Sequence, residues 1–125
     1  MIAVDSSSMI AFFNNDEGED VLQVQQCLDT GTLLLPPIVL IELLSAPFLP
    51  ETIKNNIELL PILDITPMYW NRVGLMRATL IENKLKARIA DAMVAQVCID
   101  NDICLITRDK DFRHFNKYFG LKLYY

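Results

Sequence analysis

Acidic side chains at four separated places in the chain are the residues best suited to chemistry. Asp5 directly follows the short apolar run IAV, and Asp109 comes soon after the apolar run ICLIT. Glu42 is the only polar residue in the segment LLLPPIVLIELL, and Asp91 lies near the start of the apolar segment IADAMVAQVCI. A bare carboxylate in an apolar setting is costly unless something compensates its charge. We therefore expect Glu42 to be buried, and to have a functional reason for being there.

A shared metal ion would explain why four such acids lie together. Neighbouring carboxylates repel one another when ionised and raise one another's pKa, and a divalent cation removes that conflict. Ligand sets made only of oxygen favour Mg²⁺ or Mn²⁺ over Zn²⁺. Such an ion could activate a water molecule and stabilise the leaving alkoxide in phosphodiester hydrolysis. Ser6 and Thr107, which stand beside two of the acids, could orient a carboxylate or a water molecule.

Each acid also has an ordinary structural explanation. Asp5 precedes three serines and could cap a helix, while Asp91 could complement a helix dipole. Asp109 and Asp111 could be turn residues in the segment RDKDF, and Glu42 could stand at the exposed end of a short helix. The common placement of the acids favours a site more than any one of them does.

The order of predicted elements indicates how the acids are positioned. Strands are predicted at IAV, TLLL, PILDIT, ICLIT and LKLYY, and helices are predicted between most of them. The strands are short and apolar on both faces, which is typical of a parallel sheet covered by helices on both sides. The sequence thus predicts an α/β fold of three layers, with four to five short strands, formed by residues 1–125 as a single domain. The acids should lie beyond the carboxyl ends of the strands, where such sheets bind ligands.

Composition excludes several classes of protein. The chain is 52% hydrophobic with a mean hydropathy of +0.26, so it can bury a core. No apolar run approaches the ~20 residues that span a bilayer, and the N-terminus lacks the basic region of a signal peptide. We therefore expect a cytoplasmic protein with no membrane association. The glycine patterns of dinucleotide and P-loop sites are absent, so no nucleotide cofactor is expected.

Charge is distributed unevenly along the chain. The net charge is −5, yet no Lys or Arg precedes Lys54, and all eleven bases lie in residues 54–125. A polyanionic partner would prefer surfaces built from that part of the chain. Arg88 and Arg108 are close in sequence to two of the acids. They could bind a scissile phosphate, pair with those acids, or contact the carboxylates of a protein partner.

Four segments together resemble a known family. MIAVDSS, PPIVLIELLS, IADAMVAQ and LITRDKDF, in this order and at these separations, resemble the PIN-domain ribonucleases. The nearest likeness is to the VapC-type toxins of bacterial toxin–antitoxin pairs, and it covers essentially the whole chain. The resemblance implies a Mg²⁺-dependent endoribonuclease, with Mn²⁺ as a substitute, that cleaves RNA. It also implies a homodimer that is silenced by a small antitoxin.

The resemblance also assigns residues. Asp5, Glu42 and Asp91 match the three core acids of the family, and Asp109 matches a fourth, more variable position. Positions with a supporting role in the family are matched by Ser6, Thr107 and Asp111. With the pattern intact, a catalytically inactive copy is disfavoured, although the acidic pI of about 4.7 leaves RNA capture to local basic residues.

Other functions compete with this interpretation. A PIN nuclease without toxicity, acting in RNA processing or on DNA, would have the same acids, and an adjacent antitoxin gene would distinguish the two. A catalytically silent interaction module would be expected to lack one or more of the acids. A response-regulator receiver domain needs a pair of acids before the first-strand aspartate, which MIAVDSSS does not provide.

Overall fold

A short parallel sheet lies at the centre of the protein. The structure, a computed structural model, describes residues 1–124. Its strands are β1 (Ile2–Val4), β2 (Leu33–Leu34) and β3 (Leu105–Ile106), in the order β2-β1-β3. Both pairings are parallel. The strands are buried almost throughout, which explains why they read as apolar runs without alternation.

Helices surround this sheet and complete the mixed α/β fold predicted from the sequence. Their bounds are α1 (Ser6–Phe13), α2 (Glu19–Thr30), α3 (Pro37–Leu44), α4 (Glu51–Ile57), α5 (Tyr69–Glu82), α6 (Ile89–Asp100) and α7 (Arg113–Phe119). α3 starts at Pro37, and proline suits the first turn of a helix because its missing N–H needs no partner there. α2 ends at Thr30, and Gly31 after it has a φ of 67°, the left-handed conformation that ends helices.

The sheet has fewer strands than the four to five predicted. Within residues 1–124, the segments PILDIT and LKLYY each contribute only an isolated bridge, Leu35 with Ile62 and Leu105 with Leu123. The first bridge does not lengthen because the chain after Leu35 turns into α3 at Pro37, which has no backbone N–H to donate to the next carbonyl of PILDIT. The second is limited by β3, which is itself only two residues long. Tyr125 of the predicted final strand lies outside the described residues.

Two further features bear on the site and on the class of protein. The segment RDKDF, whose aspartates could have been turn residues, forms a 3₁₀ helix at Lys110–Phe112 that leads directly into α7. No helix among residues 1–124 is both long enough and apolar enough to cross a membrane.

Candidate active site

The sheet brings the first and last predicted acids to the same edge. β1 lies in the middle of the sheet, and Val4 is in register with Ile106 of β3. Asp5 therefore leaves the sheet beside Thr107, and the Asp5 amide donates to the Ile106 carbonyl at 3.0 Å. α6 precedes β3 and must run back across the sheet, so its first turn, which holds Asp91, lies at this same carboxyl edge.

Asp5 is a buried carboxylate held by hydroxyl and amide donors. Only 4% of the residue is exposed. It caps α1 by accepting from the Ser7 amide, and it also accepts from the hydroxyls of Ser7 at 3.1 Å and of Thr107. Burial raises its pKa, opposed by these hydrogen bonds, and the charge of Asp109 raises it further. The capping role considered from the sequence is real, and it coexists with a place among the other acids.

Glu42 lies at the surface, which corrects the prediction that it is buried among leucines. The residue is exposed, while Val39 and Leu43 of the same helix are fully buried. Ile41 beside it is 58% exposed, so the apolar run in the sequence includes an outward-facing side of α3. Apolar neighbours in the sequence therefore do not place the Glu42 side chain in the apolar core.

The carboxyl of Glu42 nevertheless belongs to the same group of acids. Ser6 donates its hydroxyl to Glu42 Oε1 at 3.3 Å. Partial removal from water raises the pKa of Glu42, and the charge of Asp5 adds to this effect. The Ser6 hydrogen bond and the Arg88 charge oppose it. Ser6 thus orients Glu42 rather than Asp5, to which it is adjacent in sequence.

Three aspartates form a group with the spacing of metal ligands. One carboxylate oxygen from each of Asp91, Asp109 and Asp111 lies within 4.8 Å of the others. Octahedral Mg²⁺ holds its ligands at about 2.1 Å, so opposite ligand oxygens are about 4.2 Å apart. Small side-chain rotations would therefore bring these oxygens around one ion. Asp111, a weaker position from the sequence, lies in this group, which we call the aspartate cluster.

The electrostatics of the aspartate cluster favour a bound cation. The pKa of Asp91 is raised to about 6, mostly by burial and further by the charges of Asp109, Asp5 and Asp111, against the effect of Arg88. Asp109 caps the 3₁₀ helix by accepting from the Asp111 amide at 2.9 Å. Its own amide donates to the Thr107 hydroxyl at 3.0 Å. Thr107 thus connects Asp109 to Asp5, so the predicted acids form one electrostatic unit.

Two basic side chains border the cluster. The Asp111 carboxylate lies 3.1 Å from Lys86 Nζ and 3.4 Å from an Arg88 guanidinium nitrogen. Arg88 is also 3.9 Å from Asp91 Oδ2. These cations hold the pKa of Asp111 below its ordinary value, with the Lys86 hydrogen bond as the largest cause. Both side chains are more than half exposed, so they can also reach other anions.

Arg108 points away from the predicted acids. Its guanidinium donates two hydrogen bonds to Asp20, at 2.8 and 2.9 Å. It donates a third to the carbonyl of Glu17 at 3.1 Å. Pairing with Asp91 or Asp109 was considered from the sequence, and the observed partner is a different acid, in the first turn of α2.

Comparison with known proteins identifies the family. A model of the PIN domain matches residues 2–118. The chain belongs to the PIN-domain family. No curated protein matches this PIN domain in sequence.

Two solved structures share its fold. One is VapBC2 from Rickettsia felis bound to a DNA fragment from their promoter, with a TM-score of 0.70 and 18% identity, covering 98% of this chain and 97% of that one. The other is VapBC-5 from Mycobacterium tuberculosis, a member of the VapBC family of toxin–antitoxin systems. Its TM-score is 0.62 and its sequence identity is 17%. The match covers 98% of this chain and 95% of that one. The PIN domain described here therefore has the fold found in toxin–antitoxin complexes.

Sequence reasoning missed three residues that shape the site of this PIN domain. Ser7, whose amide and hydroxyl both bind Asp5, was visible only as one of three consecutive serines. Lys86 stands five residues before Asp91 and carried no signal beyond its charge. Asp20 looked like an ordinary acid in the first turn of a helix, and only the tertiary structure places it against Arg108.

Proposed function

We propose that this PIN domain is a metal-dependent endoribonuclease and the toxin of a type II toxin–antitoxin pair. The observation that carries the proposal is the electrostatic coupling of Asp5, Glu42, Asp91 and Asp109 at one edge of the sheet. Burial and mutual repulsion raise the pKa of Asp5, Glu42 and Asp91, and Arg88 only partly opposes the effect on the last two, so a bound cation would stabilise the group. The fold shared with VapBC structures and the family membership support the same function.

The aspartate cluster would hold Mg²⁺, with Mn²⁺ as a substitute. Asp91 and Asp109 supply oxygens that lack a strong cationic partner of their own, and Asp111 adds a third. When bound, the ion supplies the charge that activates a water molecule and stabilises the leaving oxygen. The Thr107 hydroxyl keeps Asp5 and Asp109 in a fixed relation, which preorganises the ligands before any ion arrives.

Glu42 would handle the proton of the attacking water. Ser6 holds its Oε1 atom, which leaves Oε2 for the proton, and its exposure admits solvent and substrate. A raised pKa brings a carboxylate closer to the value of an efficient general base near neutral pH. The neighbouring charge of Asp5 contributes to that shift.

RNA would be held by the basic border of the site. Lys86 and Arg88 neutralise Asp111 in this structure. An ion at the aspartate cluster would take over that task and release the two cations to bind a phosphate of the substrate. This local capture reconciles a polyanionic substrate with a net charge of −5. Arg88 thus keeps the substrate role that the sequence suggested.

The partners would be a small antitoxin and a second copy of the chain. The antitoxin is supported by the fold shared with two VapBC structures. The homodimer is supported only by the family resemblance and by exposed apolar side chains on α5, among them Trp70 and Leu75. Location in the cytoplasm stays a prediction.

An RNA cleavage assay tests the function. The purified chain, free of partners, is incubated with a pool of structured RNAs, in EDTA or with Mg²⁺ or Mn²⁺. Asp91→Asn and Glu42→Gln remove one carboxylate charge each, and Glu82→Gln, an exposed glutamate on α5, is the matched control. We expect cleavage that needs the metal, is abolished in the first two variants and is unchanged in the control.

Other substrates and the partner distinguish the alternatives. Cleavage of single-stranded DNA but not RNA would replace the proposal with a DNA nuclease. Cleavage of RNA that is not inhibited by the product of an adjacent small gene would favour a nuclease without a toxin role. If a folded chain cleaves none of these substrates, the proposal that it is a nuclease is refuted.

A further inference from the structure

The loop that carries two of the cluster aspartates has an anchor on its far side. Residues 107–111 follow β3 and hold Thr107, Asp109 and Asp111. Successive side chains of an extended segment point to opposite sides. Asp109 has an extended backbone, with φ of −82° and ψ of 115°. Arg108 accordingly points away from the acids while its neighbours on both sides point toward them.

The anchor is a buried group of donors and acceptors. Asp20 is 4% exposed and Ser8 is fully buried. Asp20 accepts two hydrogen bonds from the Arg108 guanidinium and one from the Ser8 hydroxyl at 2.8 Å. The Arg108 hydrogen bonds are the main cause that holds the pKa of Asp20 below its ordinary value. The group fixes Arg108 against α1 and the start of α2.

The chain before α2 is shaped to fit this contact. Gly18 has a φ of 150°, which favours glycine. A Cβ at this position would come within 2.5 Å of Asp20 Oδ1 and 2.9 Å of an Arg108 guanidinium nitrogen. A side chain at position 18 would therefore push Asp20 and Arg108 out of their present contact, in addition to straining the backbone angle.

We propose that Asp20, Arg108 and Gly18 form a clamp that positions the 107–111 loop for metal binding. The clamp fixes the backbone on either side of Arg108, and so fixes the directions in which Thr107 and Asp109 project. Asp20 and Arg108 are positioning residues, and Arg108 does not contact the substrate. The role in metal binding rests on the proposed function, whereas the ordering of the loop does not.

The chain contains matched controls for each clamp residue. Arg72 and Asp100 form a similar ion pair away from the acids, with side-chain exposures of 36% and 11%. Arg108 and Asp20 have exposures of 35% and 5%. Gly31 also has a positive φ, but a Cβ there would meet nothing within 4 Å. Clamp variants Arg108→Lys, Asp20→Asn and Gly18→Ala are thus compared with Arg72→Lys, Asp100→Asn and Gly31→Ala.

The first measurement is amide hydrogen exchange of the metal-free proteins, read by mass spectrometry. In folded clamp variants, we expect exchange in residues 107–112 to become at least tenfold faster. The control variants should lose comparable global stability without this local change. Arg108→Lys retains the charge and is the mildest variant, so it keeps the test open where Asp20→Asn fails to fold. Unchanged exchange in 107–112 in Arg108→Lys and Gly18→Ala would overturn the clamp.

The second measurement is Mn²⁺ affinity, read by electron paramagnetic resonance. It is combined with kcat and KM for RNA cleavage, taken from steady-state kinetics. Clamp variants should bind Mn²⁺ at least tenfold more weakly and lose kcat while KM is unchanged. A raised KM in Arg108→Lys with unchanged exchange and Mn²⁺ affinity would instead make Arg108 a substrate contact. If the wild-type chain neither binds Mn²⁺ nor cleaves RNA, the proposed function fails, and the exchange data still decide whether the clamp orders the loop.

Discussion

Replacing Asp91 with asparagine should stabilise the metal-free protein while destroying its metal site. The pKa of Asp91 is raised from 3.8 to about 6, first by burial and then by neighbouring carboxylates. The folded chain therefore holds the Asp91 proton more tightly than the unfolded chain does. Ionisation of Asp91 opposes folding, and a shift of this size corresponds to about 3 kcal/mol at most. The variant Asp91→Asn would avoid that cost because an amide side chain is never charged.

Because the pKa of Asp91 is higher in the folded chain, the stability difference between Asp91→Asn and the wild type should depend on pH. Below pH 3.8 the carboxyl is mostly protonated in both the folded and the unfolded state, so the variant and the wild type should differ little in stability. The advantage of Asp91→Asn should grow as the pH rises from 3.8 to about 6. Above that range it should be constant.

Urea denaturation followed by circular dichroism, in EDTA, measures this difference at pH 4 and pH 7.5. Asp64→Asn, at an exposed aspartate, is the control and should change little at either pH. Added Mn²⁺ should stabilise the wild type but not Asp91→Asn, since a ligand stabilises only the state that binds it. Equal or lower stability of Asp91→Asn at pH 7.5, or a gain of the same size at pH 4, would refute the reasoning.

Three other substitutions test separate parts of the structure. Glu42→Gln should reduce RNA cleavage by roughly 100-fold or more. It should change the free energy of unfolding by less than about 0.5 kcal/mol, because the side chain is exposed. A large loss of stability with retained activity would contradict the proposed role of Glu42. Tyr69→Phe removes a buried hydroxyl that donates to the Met93 carbonyl at 2.6 Å. It should cost about 1–2 kcal/mol in urea denaturation, and no measurable cost would show that the hydrogen bond contributes nothing. Lys86→Ala should weaken RNA binding and reduce the slope of log affinity against log salt by roughly 0.7, whereas Lys117→Ala, on the exposed side of α7, should leave both unchanged.

The sequence by itself determined the class of fold and most of the element order. Proline at the start of α3 and glycine after α2 mark helix ends through local backbone restrictions, which do not depend on distant residues. Apolar strands without alternation indicated a buried parallel sheet. The edge positions of Asp5 and Asp109 followed from that inference, because parallel strands end on the same side.

The tertiary structure alone decided strand length, burial and partner choice. The predicted strand PILDIT is reduced to one bridge because the segment that it packs beside turns into α3 directly after Leu35, and only the folded chain shows which segment that is. Glu42 is exposed because α3 turns an apolar side outward, and no local pattern distinguishes that side from a core-facing one. Arg108 pairs with Asp20 across 88 positions of the chain, and such a pairing depends on how α2 packs near the end of β3. Helix ends depend on neighbouring residues and can be predicted from them, whereas these contacts join residues that meet only when the chain has folded.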